Sequence, residues 1–215
     1  MVDTNEFGYT PSSPSQTKNN TGVFSVGDVT DLLDSKQYGG SVELIAEESY
    51  SIAKGNIDFT SIQEDKYDVH MLQLHNIDFD TGSYNQPAIR LYESGVLESS
   101  GVYRLSRQDL FYNNTEQTTS STTDTSIRLM VDLGTSTAET RSMYVYLYNL
   151  GNVNKHSICS FHGVASLGTT QMRVSYGSAM LPQASIVDGI RIFPTSGGNF
   201  TKYDIKVYGI KKWVH

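Results

Sequence analysis

From Val42 onward the chain runs in short stretches where apolar and polar residues alternate. In residues 188–193, DGIRIF, Ile190 and Ile192 share one side of an extended backbone. In residues 203–210, YDIKVYGI, Ile205 and Val207 share a side, while Lys206 and Tyr208 face the other way. A period of two is the mark of a strand with one buried face, so these four aliphatic residues are expected in the core. The intervening PTSGGN, residues 194–199, is built of turn formers and predicts a hairpin between the two strands. Residues 143–148, MYVYLY, alternate most cleanly: Met143, Val145 and Leu147 predict a core side, with Tyr144, Tyr146 and Tyr148 opposite. That tyrosine side is open to three readings, an ordinary sheet surface, a subunit interface or a ligand platform, because Tyr joins a large apolar body to a polar tip.

The same pattern predicts strands over residues 42–52, 56–59, 67–74, 88–92, 102–106, 126–133, 143–150, 156–161, 172–176, 189–193 and 203–210. Short strands at this spacing, separated by turn formers, predict an all-β fold, an antiparallel β-sandwich of jelly-roll-like form. No fixed-period repeat supports a solenoid or propeller.

The first 40 residues read differently. FGYTPSSPSQTKNNTG, residues 7–22, has almost no apolar content and two prolines, too little to offset its own ordering entropy. Val26, Val29, Leu32 and Leu33 then recur at helical spacing behind a cap-like Ser25 and Asp28, predicting one short amphipathic helix that ends near Gln37. The chain therefore divides into residues 1–40, an extended N-terminal arm with a short helix, and residues 41–215, the sandwich. Tyr9, Pro11, Pro14, Val23, Phe24, Val29, Leu32 and Leu33 are the candidate anchor of that arm. NNTEQTTSSTTDTS, residues 113–126, is too polar for a core and predicts an exposed loop, with Asn113, Asn114, Thr115, Glu116 and Gln117 as candidate binding residues.

Composition narrows the function. A net charge of −7, with no basic cluster longer than Lys211-Lys212, argues against a nucleic-acid partner. No apolar run approaches the roughly 18 residues of a membrane helix, and no secretory signal is visible, so neither membrane insertion nor secretion is expected. The single cysteine, Cys159, cannot form an intrachain disulfide and suits synthesis in a reducing cytoplasm; its apolar neighbours predict a buried, inert thiol.

Catalytic patterns do not emerge. The five histidines show no zinc-site spacing, and His70 and His75 fall on opposite faces of a regular strand. DFDTGS, residues 78–83, begins like a calcium loop but lacks its later acidic positions and reads as a turn. Carboxylate pairs such as Glu47-Glu48 and Glu64-Asp65 have no fixed separation from sequence. No nucleophile elbow or phosphate-binding loop is present, so no enzyme activity, cofactor or metal is expected.

Several stretches together carry a resemblance: GYTPSSPSQT (8–17) with GVFS (22–25), NIDFTSI (56–62), IRLYESG (89–95), YLYNL (146–150), LPQA (181–184), GIRIF (189–193) and VYGI (207–210). In these the chain resembles virion structural proteins of tailed bacteriophages, particularly of the marine and cyanobacterial type. The resemblance spans nearly the whole chain and rests on strand and turn patterns, and it transfers no functional residues. It implies a non-enzymatic β-sandwich exposed on a virion, made in the bacterial cytoplasm and attached to capsid or tail proteins through its N-terminal arm. It also implies a homo-oligomer, with a trimer preferred. The alternative expectation is a tail-fibre-like receptor-binding module that recognises a host surface glycan.

Overall fold

The computed structural model describes residues 42–80, 85–130, 139–167 and 171–211. The N-terminal arm, the short helix and all eight anchor candidates from Tyr9 to Leu33 lie outside the described residues.

Everything described is strand, turn or connection, as the sequence predicts. In chain order the strands are β1 (Val42–Ser49), β2 (Ile57–Phe59), β3 (Tyr67–Phe79), β4 (Pro87–Glu93), β5 (Val96–Leu97), β6 (Tyr103–Phe111) and β7 (Glu116–Asp124). They continue as β8 (Ile127–Arg128), β9 (Thr140–Tyr148), β10 (Ser157–Leu167), β11 (Gln171–Leu181), β12 (Val187–Pro194) and β13 (Phe200–Lys211). An eight-stranded sheet has the order β1-β13-β3-β9-β10-β11-β6-β7. A smaller sheet has the order β2-β12-β4-β5, with β8 also pairing β4.

This is a jelly roll with an extension. Lettered B to I in chain order, β1, β13, β3 and β9 make the B-I-D-G sheet, and β2, β12, β4 and β8 make the C-H-E-F sheet. Two insertions, β6–β7 between strands E and F and the β10–β11 hairpin after strand G, prolong the B-I-D-G sheet through β11·β6 pairing, while β5 adds to the smaller sheet beside β4.

The aliphatic sides of the strands meet between the sheets. Ile190 and Ile192 from one sheet and Ile205, Val207, Leu72 and Val145 from the other are fully buried. Burying such side chains stabilises by about 1.5–3 kcal/mol each. Two buried ionic networks join this interior. Arg141 donates to the Ile77 carbonyl and the Asp78 carboxylate, both at 3.1 Å, and to Glu139 at 3.2 Å. Arg107 donates to Asp109 at 2.9 Å, to the Arg128 carbonyl at 3.1 Å and to Gln86 at 3.2 Å, and Ser175 donates to the other Asp109 oxygen.

Two expectations need correction. The C-terminal hairpin does not form: β12 pairs β2 and β4, whereas β13 pairs β3, so residues 194–199 carry the chain from one sheet to the other. Residues 116–124 are a strand, not a loop. β-branched threonines favour extended backbone, and pairing with β6 makes this stretch the exposed edge strand of the large sheet. β5 follows a two-residue turn in which Ser94 and Gly95 both have positive φ (51° and 79°), the geometry of a tight hairpin.

Four predicted strands, residues 67–74, 102–106, 156–161 and 172–176, run on at their C-terminal ends to Phe79, Phe111, Leu167 and Leu181, and the last two pass through glycines. Gly177 of β11 lies so close to β6 that a Cβ would sit 2.4 Å from the Ser106 carbonyl oxygen. Gly163 of β10 is equally constrained, at 2.6 Å from the Met130 side chain.

Candidate functional site: the outer face of the large sheet

Alternation along β9 puts Met143, Val145 and Leu147 inside and Tyr144, Tyr146 and Tyr148 outside. The register carries those outward positions into neighbouring strands. Tyr148 lies level with Ile158, Met180 and Arg104; Tyr146 with Ser160, Ser178, Ser106 and Ser120; and Tyr144 with His162, Tyr176, Gln108 and Thr118. Beyond these, Ser142 aligns with Val164, Val174 and Leu110. On the other flank, β3 adds Val69 and Met71, and β13 adds Tyr208 and Ile210.

None of the outward positions of β9, β10 and β11 among the described residues carries a formal charge, in a chain whose net charge is −7. Charged groups of both signs stand at the margins: Asp204 and Lys206 on β13, Arg104 on β6 and Glu116 on β7. Tyr144 and Tyr176 are each 44% exposed, Ile158 and Val164 43%, and Met172 58%. An uncharged surface with this much exposed apolar and aromatic area is a candidate binding face.

The surface has relief. The tyrosines form a ridge, with Tyr144 edge-on to Tyr146 at 5.8 Å and Tyr146 stacked on Tyr148 at 6.5 Å. His162 lies 5.5 Å from the Tyr144 ring. On the far side of β10 the serines leave the surface low. A hollow of about 620 Å³ is lined there by Ser106, Ser120, Ser178, Ile158 and Met180, with Arg104 also in its wall. A second hollow of about 450 Å³ adjoins it across Ser106 and Ser178, beside Tyr176 and Gln108.

The sequence-predicted loop residues are engaged elsewhere. Asn113, Asn114 and Thr115 make the β6–β7 turn, where Asn113 accepts from the Thr115 hydroxyl at 2.6 Å and Asn114 takes a φ of 63°. Glu116 and Gln117 belong to β7, and Glu116 accepts from Gln108 at 2.6 Å. The structure does not bring these residues to the tyrosine ridge, which lies across β10, β11 and β6 from β7.

The titratable groups have structural partners. His70 is buried and donates from Nε2 to the Ile62 carbonyl at 2.8 Å, and burial holds its pKa below the ordinary histidine value. His75 faces outward, 2.8 Å from the Ser142 hydroxyl, so the two histidines diverge as predicted. Cys159 is buried, and desolvation pushes its thiol up to about 12, far from the thiolate that nucleophilic chemistry needs. Asp78 is held by Arg141, and Asp80 accepts from Asn199 through both its oxygens at 2.8 Å. Glu48 pairs with Lys54, and Glu47 lies 3.9 Å from Lys206. Among the described residues no group of three or more His, Cys, Asp or Glu side chains is placed to hold a metal.

What this arrangement does chemically is offer a broad, uncharged surface of rings, hydroxyls and methyl groups. Sequence reading found the ridge but missed Ile158, His162, Val164 and Tyr176. In residues 157–166 both faces carry apolar residues, so alternation alone does not say which is outside. Comparison with known proteins brings no relative: no protein-family model, curated protein or solved structure matches this chain.

Proposed function

We propose that this chain is a non-enzymatic structural protein of a phage particle, a jelly roll attached to capsid or tail through residues 1–40. The observation that carries this reading is the uncharged tyrosine-rich face of the large sheet, a surface built for association. The jelly roll recurs in viral capsid and lectin domains, which supports the reading by fold-level analogy. The virion setting itself comes from the sequence resemblance. Deleting residues 1–40 is expected to leave a soluble sandwich that no longer joins particles, scored by its presence in purified virions. Incorporation of the truncated chain would overturn the anchoring role, and absence of the intact chain from virions would overturn the setting.

A second reading, recognition of a host surface glycan, is favoured by the hydroxyl-lined hollow beside Tyr176. Sugars offer hydroxyls for the serines and apolar ring faces for an aromatic side chain. Tyr176→Ala should then weaken adsorption to host cells without changing incorporation. Equal adsorption by the variant would sink this alternative.

A further inference from the structure

We infer that the outer face of the large sheet binds a second copy of this chain about a two-fold axis running along β10. This goes beyond the particle reading, and it is tested on the isolated full-length chain, so its failure leaves that reading untouched.

Three observations point to a second copy. The first is relief. β9 carries the tyrosine ridge on one side of β10, and β11 with β6 carries the serine hollow on the other. A two-fold axis along β10 exchanges the strands on its two sides, laying β9 of one copy over β11 of the other. The register then sets which residues meet: Tyr144 with Tyr176, Tyr148 with Met180, and Tyr146 with Ser178. Tyr146, Ser160 and Ser178 share one level, so rotation about an axis through Ser160 sets Tyr146 over the Ser178–Ser106 hollow of the second copy, twice. Tyr146 of the ridge and Ser178 of the hollow flank β10 at one level, on β9 and β11, as an isologous interface requires.

The second observation is charge. The three strands nearest the axis, β9, β10 and β11, are neutral on this face, so two copies meet there without opposing like charges, and Arg104 on β6 comes level with the uncharged Val69 of the other copy. An uncharged, Tyr- and Met-rich centre inside a charged rim is the anatomy of a protein interface. The third is area. The strands β3, β9, β10, β11 and β6, about 4.8 Å apart and about nine residues long at about 3.3 Å per residue, cover roughly 700 Å². A standard interface takes about 800 Å² from each partner. A single bound sugar would leave most of this surface uncovered.

The pairing yields a dimer, which departs from the trimer implied by the family resemblance. Sedimentation equilibrium of the full chain at about 10 μM, where a micromolar interface is largely populated, should give twice the mass of one chain. Tyr146→Glu, with near-ultraviolet circular dichroism confirming its fold, should give the monomer mass. Val96→Glu, a change at a 70%-exposed residue of the other sheet, should leave the dimer intact. Ser160→Cys places a thiol on the axis and should yield a covalent dimer with a short bis-maleimide that spans the roughly 10 Å between packed sheets, a gap too wide for a direct disulfide, whereas Val96→Cys should not. A monomeric or trimeric wild-type chain, a dimer that survives Tyr146→Glu, or no cross-link at Ser160→Cys would each overturn the proposal.

Discussion

The sandwich has two outer surfaces, and they treat polar groups in opposite ways. On the small sheet, Asp58, Arg191 and Arg90 lie level on β2, β12 and β4, and each ionic side chain has a partner within the same surface. Arg191 grips Asp58 with two bonds of 2.7 and 2.9 Å, and Tyr92 donates to the same carboxylate at 2.9 Å. Arg90 donates to the Thr125 carbonyl at 2.9 Å and stacks over Phe193, and Arg128 pairs with Asp124 at 2.7 Å. Such a surface is satisfied by water and by itself. On the outer face of the large sheet the described residues of β9, β10 and β11 carry no charged side chain, and they leave tyrosine, isoleucine, valine and methionine in solvent. The lesson is that alternation along a strand distinguishes inside from outside, whereas the chemistry of the outside residues distinguishes a finished surface from one awaiting a partner.

The comparison assumes one interior beneath both surfaces, and the largest predicted effect tests that assumption. Ile205→Asp, at a residue with no exposure, should yield no folded protein by circular dichroism, because an unpaired buried ion costs as much as a domain's whole stability of about 5–15 kcal/mol. A soluble, cooperatively folding variant would break the assignment of inside and outside. Next in size, Arg107→Ala leaves Asp109 buried without its cation, and urea denaturation should show a loss of about 3–5 kcal/mol. A loss below about 1 kcal/mol would mean that the extended half of the large sheet does not depend on this network.

The outer surfaces themselves should respond weakly. Asp58→Asn should lower stability by about 0.2–1 kcal/mol, an effect that shrinks in salt because the pair is partly exposed. Acid sharpens this contrast. Burial pulls the Asp58 carboxyl up, but hydrogen bonds from Arg191 and Tyr92 outweigh it and hold the pKa below the ordinary value. The stabilisation is therefore present above the unfolded carboxylate pKa of about 4, and it is lost as pH falls through the lower folded value. Thermal melts of wild type and Asp58→Asn should converge as pH is lowered below about 4. Smallest of all, Tyr176→Ser on the uncharged face should change the stability of the unassociated chain by no more than about 0.5 kcal/mol, the range of a surface substitution. A larger loss would make that tyrosine a packing residue and erase the distinction between the two faces.

Sequence legibility follows the same division. The all-β class and the core positions Ile190, Ile192, Ile205 and Val207 were legible, because period-two alternation reports directly on burial. Partnership was not. The same alternation fits a hairpin and a sheet-to-sheet crossover equally well, so β12 and β13 were paired with each other. β7 was hidden for a different reason: an edge strand exposed along its length has no apolar period to detect. The tyrosine ridge was legible because it is local, lying in residues 143–148. The hollow opposite it was not, since Ser106, Ser160 and Ser178 become neighbours only when three strands distant in sequence align. No candidate in the described loop residues became a site, because Asn113 to Gln117 spend their polar groups on their own turn and on strand pairing.

The place of β13 has a consequence for how the protein is made. Among the described residues β13 lies between β1 and β3, so β1 (Val42–Ser49) has no strand neighbour until Phe200–Lys211 have been synthesised. At about 5–20 residues per second, synthesis holds β1 waiting for roughly ten seconds or more with an open edge on either side. During that interval the early strands expose unpaired backbone that invites association with other nascent chains, as slow non-local topologies do.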